Sequence, residues 1–194
     1  MPGILQLPDN SYLRGYFQSW KYFDGHQEEV RSRVRKLSNP SVWFSERAQE
    51  LRASPTWIGV HFRLGNYLSH PEMGVVNEIY YRRAFRLLDK FGYAGARTIV
   101  FSDSVETARK LEVFANRRNV EFFDSIGSSR PIETMLLMSE AAALVIGNST
   151  FSWWAAYMGQ AEKRPVIYPR PWLAREDFDD RDLFYPEWIG LGRE

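Results

Sequence analysis

A chain of 194 residues, 44% hydrophobic and 25% charged, has the composition of one globular domain, and its formal net charge of +1 offers no basic field for nucleic acid. Cysteine is absent, which excludes disulfides and thiolate metal sites, and three histidines are too few for a polyhistidine metal cage. No apolar run approaches the roughly 18–20 residues needed to span a bilayer and no signal peptide opens the chain, so a cytoplasmic protein is expected.

Residues 1–53 read as an N-terminal or linker region. Between Tyr12 and Phe23 apolar and polar residues partly alternate, which predicts a short strand or turn with an aromatic face. Gln27 to Leu37 is highly charged and predicts a helix whose basic run, Arg31, Arg33, Arg35 and Lys36, faces water. Pro40 ends it, and a second helix is expected from Ser41 to Leu51.

From residue 54 to 194 the pattern becomes regular. A strand at 57–62 leads into a polar loop at 63–76, then a helix over about 77–91 with Tyr80, Ala84, Leu87, Leu88 and Phe91 at helical spacing. Strands follow at 98–101, 120–123, 143–146 and 165–168, separated by helices at 104–118, 132–140 and 151–158. Such β-α alternation predicts a Rossmann-like, doubly wound, mostly parallel α/β sheet. The tail, 169–194, with Pro169, Pro171 and Pro186, is expected to wrap the surface irregularly.

Two stretches carry chemistry. In Trp57-Ile-Gly-Val-His-Phe-Arg-Leu-Gly-Asn-Tyr-Leu68 a strand ends on His61 and Arg63, two positions apart and therefore on one face. Ligands of open α/β sheets sit outside the carboxyl ends of the strands, where an arginine neutralises a phosphate or carboxylate; pairing with a structural carboxylate is the plainer alternative. In Gly147-Asn-Ser-Thr-Phe-Ser-Trp-Trp154 a strand opens into a helix whose first N–H groups face outward. Asn148, Ser149, Thr150 and Ser152 there form a diphosphate cradle or, more simply, cap the helix. Neither a Gly-x-Gly-x-x-Gly fingerprint nor a P-loop is present. Asp103 stands at a strand end as a ready N-cap, and Glu133 in the first turn of a helix.

Six segments in this order carry a resemblance: Gly15-Tyr-Phe-Gln-Ser-Trp-Lys-Tyr-Phe23, Gly59-Val-His-Phe-Arg-Leu-Gly-Asn-Tyr67, Tyr80-Tyr-Arg-Arg-Ala84, Val100-Phe-Ser-Asp103, Asn148-Ser-Thr-Phe-Ser-Trp-Trp-Ala-Ala156 and Pro186-Glu-Trp188. Together they resemble the glycosyltransferase family 11 α-1,2-fucosyltransferases from Leu13 onward. Two departures stand out. The family's loop usually reads His-x-Arg-Arg-Gly-Asp-Tyr, where Leu64 and Asn66 replace the second arginine and the aspartate, and the family usually has about a hundred further residues before the first segment.

The resemblance implies a GT-B-type donor-binding domain and an inverting, metal-independent transfer of fucose from GDP-fucose to a galactoside 2-hydroxyl, with no cofactor. In that reading Arg63 stabilises the β-phosphate with the helix start at Asn148–Ser152, and His61 lies beneath, positioning Arg63 or packing. Asp103 binds nucleotide or ribose, and Glu133 contacts guanine. Asn66 cannot take a proton, which leaves His70 and Glu72 as local bases, with Glu72 chosen. The partners are a nucleotide sugar and a glycan acceptor, with no nucleic acid; membrane association through the acceptor and a missing N-terminal half or partner chain are further expectations. Competing readings are a nucleotide-sugar binding module without turnover, a single-stranded RNA binder, and a metal-dependent transferase using Asp177-Phe-Asp179 or Asp180-Arg-Asp182.

Overall fold

The structure, a computed structural model, describes residues 10–12, 14, 19–37, 40–65, 70, 73–123, 130–159, 164–175 and 178–193. Its layering follows from the central strand. β1 (Trp57–Phe62) is buried at every position, as a parallel strand covered on both faces must be. Its side chains alternate: Trp57 joins one core, while Ile58, Val60 and Phe62 join the other.

Five more strands follow: β2 (Arg97–Ser102), β3 (Val120–Phe122), β4 (Ala143–Val145), β5 (Val166–Arg170) and β6 (Ile189–Gly192). The sheet order is β3-β2-β1-β4-β5-β6 and each neighbouring pair is parallel. The order reverses between β1 and β4, which is the switch point where a doubly wound sheet opens a crevice at its carboxyl edge.

Helices cover both faces. On one lie α1 (Gln27–Leu37), α2 (Val42–Ala53), α5 (Pro131–Met138) and α6 (Thr150–Met158), packed over Trp57, Ile99, Phe101 and Leu144. Residues 20–37 and 40–53 therefore share this core, with Ala48 and Leu51 in it and Val30, Val34 and Trp43 packed against it. On the other face α3 (Glu78–Leu88) inserts Tyr80, Tyr81, Ala84, Phe85 and Leu88, and α4 (Val105–Arg109) inserts Ala108. Among the described residues no helix is long and apolar enough to cross a membrane.

Of the strand or turn expected before residue 24, the described residues show a 3-10 turn, Trp20–Phe23, capped by the Ser19 hydroxyl and packed on Tyr185 and Trp154. Three expectations change. The helix expected over 104–118 stops at Arg109. Leu111 is extended, a 3-10 turn (Glu112–Phe114) follows, and the Glu78 carboxylate accepts the Val113 N–H at 2.6 Å. The break lets Phe114 reach Phe62 and Phe122. The tail is irregular among the described residues of 171–188, but it closes the core with Trp172, Leu183 and Phe184 and then forms β6 instead of merely wrapping the surface. The basic run of α1 is not all solvated, because Arg31 and Arg35 are half-buried against α6.

That contact is systematic. The last four residues of α6 would leave their carbonyls without helical partners. Arg164 donates to Ala155 O (3.1 Å) and Ala156 O (2.9 Å), Arg31 to Tyr157 O (2.9 Å), and Arg35 to Met158 O (3.0 Å). Arg164 also reaches Ser139 O and Ala141 O at 2.7 and 2.9 Å. Burial pulls its pKa down to about 10, with Arg31 contributing, so it stays charged at neutral pH.

Arg164→Met is expected to destabilise the fold by about 3 kcal/mol or more, because each abandoned buried acceptor costs about 1–3 kcal/mol. The readout is a lower urea midpoint at unchanged slope. A change below about 0.5 kcal/mol, the ordinary surface range, would show that the cluster is not what secures α6.

Candidate active site

The carboxyl edge gathers Arg63 after β1, Asp103 after β2, and the turn Gly147–Ser149 that leads from β4 into α6. The first intrahelical bond of α6 runs from Trp153 N to Ser149 O at 3.0 Å, so the N–H groups of Thr150, Phe151 and Ser152 lie ahead of it. Ser149, the N-cap residue, is extended and makes no side-chain cap hydrogen bond. Simple capping by Ser149 is therefore not how this turn is used. A helix start of this kind presents amide donors and positive dipole charge to an anion.

The other small polar residues of the turn shape it. Ser152 Oγ, fully buried, lies 3.0 Å from both Gly147 O and Ser149 O. Asn148 Nδ2 donates to Met73 O (2.7 Å) and Gly74 O (2.9 Å), tying the turn to the chain that enters α3. Gly147 sits in a tight spot: a Cβ there would lie 3.1 Å from His61 O and 3.2 Å from the Tyr81 hydroxyl, so a side chain would need its neighbours to give slightly.

Arg63 has a carboxylate partner. Its Nη1 lies 3.0 Å from Asp103 Oδ2, with both side chains partly exposed. Asp103 also accepts the N–H groups of Leu64 (2.8 Å) and Gly65 (3.1 Å). Asp103 thus neither caps α4 nor stands open; it clamps the loop that carries Arg63. Leu64, in the place of the second arginine, is buried in the α3-side core.

His61 is buried beneath this edge, its ring 5.4 Å from that of Phe151 in the first turn of α6. Its Nδ1 finds no hydrogen-bond partner among the described residues. Burial pushes its pKa down to about 4; the Asp103 charge opposes that shift and Arg63 adds to it. The imidazole is neutral at physiological pH and supplies no cation.

The α3 tyrosines, Tyr80 of the helical stripe and Tyr81 beside it, finish the edge. Tyr80 shares its hydroxyl between Ile146 O (2.8 Å) and Ile167 O (3.0 Å), while Tyr81 donates to His61 O at 3.0 Å. Burial raises both phenol pKa values far above normal, so both remain donors.

The remaining expected residues lie elsewhere or are engaged. Glu133 is buried, and its carboxylate accepts the Ser41 N–H (2.6 Å), the Ser41 hydroxyl (2.9 Å) and Arg130 Nη1 (3.3 Å). Burial would raise its pKa, but these partners outweigh it and the pKa is lowered. It joins the starts of α5 and α2 rather than opening toward a base. Glu72 and Asn66 lie outside the described residues, as does Asp177; His70 is exposed. In the tail, Asp179 pairs with Arg181, Asp180 accepts the Trp172 N–H, and Asp182 pairs with Lys21. Among the described residues no group of three or more His, Asp or Glu side chains could hold a metal ion.

The strand order, with the start of α6 at its switch point, defines a doubly wound α/β domain, a class whose ligands sit at the carboxyl edge of the sheet. A family profile, Glycosyl transferase family 11, matches residues 3–192, and the chain belongs to that family. It is 31% identical over 183 residues to an alpha-1,2-colitosyltransferase of Escherichia coli, covering 91% of this chain and 61% of that protein. It is 29% identical to the O-antigen biosynthesis glycosyltransferase WbnK of Escherichia coli, over 96% of this chain and 63% of that one. Against galactoside alpha-(1,2)-fucosyltransferase 1 of Saimiri boliviensis boliviensis the identity is 27%, over 94% and 52% of the two chains. The chain thus spans between about half and two thirds of the length of these relatives. Among solved structures it is similar to the E. coli ADP-heptose lps heptosyltransferase II, with TM-score 0.48 and 15% identity over 79% of this chain and 44% of that one.

The depressed pKa of His61 makes stability pH-dependent. Unfolded, the group takes a proton below its ordinary 6.5; folded, it does so only below about 4. Stability is therefore full above about pH 6.5 and falls by up to about 3 kcal/mol as the pH drops to about 4. Urea titrations at the two pH values should show this fall in the wild type and a smaller one in His61→Asn. An equal fall in both would remove His61 from the account.

Proposed function

We propose that the chain holds a nucleotide sugar at this edge and transfers its sugar, with GDP-fucose as donor and the 2-hydroxyl of a galactoside as acceptor. The transfer inverts the anomeric centre and needs no metal ion, and the domain acts as the donor half of a two-domain GT-B arrangement. The observation that carries the reading is the start of α6, whose first amides lie ahead of the first helical bond with no side-chain cap from Ser149, at the same sheet edge as Arg63, which follows β1. Such a place suits a diphosphate leaving group. The choice of sugar and linkage follows the names of the colitosyl and fucosyl relatives.

In this reaction the acceptor oxygen attacks C1 of fucose, the bond from C1 to the β-phosphate oxygen breaks, and its electron pair leaves with GDP. Arg63 and the α6 amides neutralise the charge that grows on the phosphate. The acceptor proton goes to a carboxylate, assigned to Glu72. Asp103 acts through Arg63 by fixing its loop. The setting is the cytoplasm, at a membrane surface if the acceptor is membrane-linked.

A second reading, donor binding without turnover, is favoured by Leu64, whose burial leaves the second arginine's place without a charge. Product formation from GDP-fucose and lactose, set beside calorimetric GDP binding, separates the two. Transfer should survive EDTA. Arg63→Ala should weaken GDP binding about tenfold or more, and Glu72→Gln should slow transfer about a hundredfold or more at unchanged GDP affinity. Wild-type turnover in Glu72→Gln would sink the base assignment; GDP binding without any product selects the binding module.

A further inference from the structure

A cavity of about 540 Å³ opens at the carboxyl ends of β5 and β6. Its walls include Gly74 and Asn77 from the chain entering α3, Arg170 and Pro171 at the end of β5, Ala174, and Arg193 after β6. Among the described residues the charged groups of that lining are two arginines, and Arg170 also borders a neighbouring pocket lined by Asp180 and Asp182. None of the lining residues belongs to the turn at 147–152, nor is Arg63 one of them, so the cavity lies beside the donor edge and not within it.

The wall is built around a guanidinium. Arg193 Nη2 donates to Gly74 O, and its Nη1 lies 3.4 Å from Trp172 O. Gly74 has φ +63°, and a Cβ there would lie 2.5 Å from Arg193 Nη2 and 2.7 Å from the Ala174 side chain. A glycine is needed both for the left-handed backbone and for the close approach. Arg170, the last residue of β5, is exposed, and its side chain makes no hydrogen bond or ion pair among the described residues.

Two links join the cavity to the donor edge. Asn148, in the turn before α6, holds the Met73 and Gly74 carbonyls and so positions the cavity wall. The charge of Arg193 also reaches the buried Tyr81 hydroxyl, which donates to His61 O at the end of β1. Through Asn148 the cavity wall adjoins the turn before α6, and an acceptor has to approach a sugar carried on a diphosphate there.

We propose that this cavity is the acceptor subsite and that it takes an anionic glycan, with Arg170 pairing with a carboxylate on the acceptor. The inference rests on the transferase reading above. A guanidinium fork matches a carboxylate in two parallel hydrogen bonds, and an exposed, rotatable arginine at the mouth can close onto it. Galactosides without a charge would lose that contact while keeping the hydroxyls that react.

Lactose and lactobionate test this, since both carry a terminal galactoside and only the second carries a carboxylate. Binding is measured on the full chain with GDP present, by calorimetry or ligand-observed NMR. Wild type should bind lactobionate about tenfold more tightly than lactose, as one charge-assisted contact allows. Arg170→Gln, at an exposed strand end, should remove that preference and leave GDP affinity and the thermal midpoint unchanged. Equal affinity for the two sugars, no lactobionate binding, or a preference that survives Arg170→Gln overturns the proposal. A loss of GDP affinity in Arg170→Gln would place the arginine in the donor site and overturn it as well. If GDP fails to bind while the lactobionate preference and its dependence on Arg170 persist, the transferase reading falls and the anionic cavity stands. If fucose is transferred with no preference, the subsite alone falls.

Discussion

Everything at the carboxyl edge depends on how α6 is held. Its final carbonyls, the negative pole of the helix, accept hydrogen bonds from Arg164, Arg31 and Arg35, while its first turn has no cap from Ser149. A helix dipole is best complemented by cations at its carboxyl end and anions at its amino end. One half of that complement is provided within the chain, by arginines from α1 and from the segment before β5. At the other end, by the switch point between β1 and β4, Ser149 supplies no side-chain cap. The buried cations also secure a short helix of mostly apolar residues, which by itself has little propensity to persist.

The same edge shows how a parallel sheet can end without stranding its carbonyls. Tyr80 serves the chain just past β4 and within β5, and Tyr81 serves β1, both through neutral hydroxyls that burial keeps protonated. Asp103 takes two backbone N–H groups and Arg63 together. An arginine held by such a carboxylate carries less net charge toward a ligand than an isolated one, but it loses less side-chain freedom when it binds. Leu64, the next residue, is turned into the core and adds no charge beside Arg63.

Where sequence reasoning went astray, the cause was a polar side chain whose partner lies far along the chain. Glu133 looks like a first-turn carboxylate open to a base, yet Ser41, 92 positions away, takes both its oxygens. Asn148 and Ser152 look like phosphate ligands because small polar residues cluster at helix starts, but their donors go to backbone carbonyls, including those of Met73 and Gly74. Arg31 and Arg35 look solvated because the α1 sequence is charged all round, and no local pattern reveals that α6 ends beneath them. β6 escaped because two of its four residues are glycine, so the alternation of Ile189 and Leu191 is too short to register.

By itself the sequence determined the layered α/β architecture, because alternation of period two and period 3.6 is a local property that each segment carries with it. It also determined that α6 would start with a glycine-led polar turn and that β1 would end on His61 and Arg63. Only the tertiary structure decided which polar groups remain available there. That outcome depends on distances between residues tens of positions apart, and a buried donor or acceptor takes whichever partner packing brings within about 3 Å. Hence Arg63 is held by Asp103, Glu133 is turned to Ser41, and Ser149 makes no side-chain cap at the N-terminus of α6.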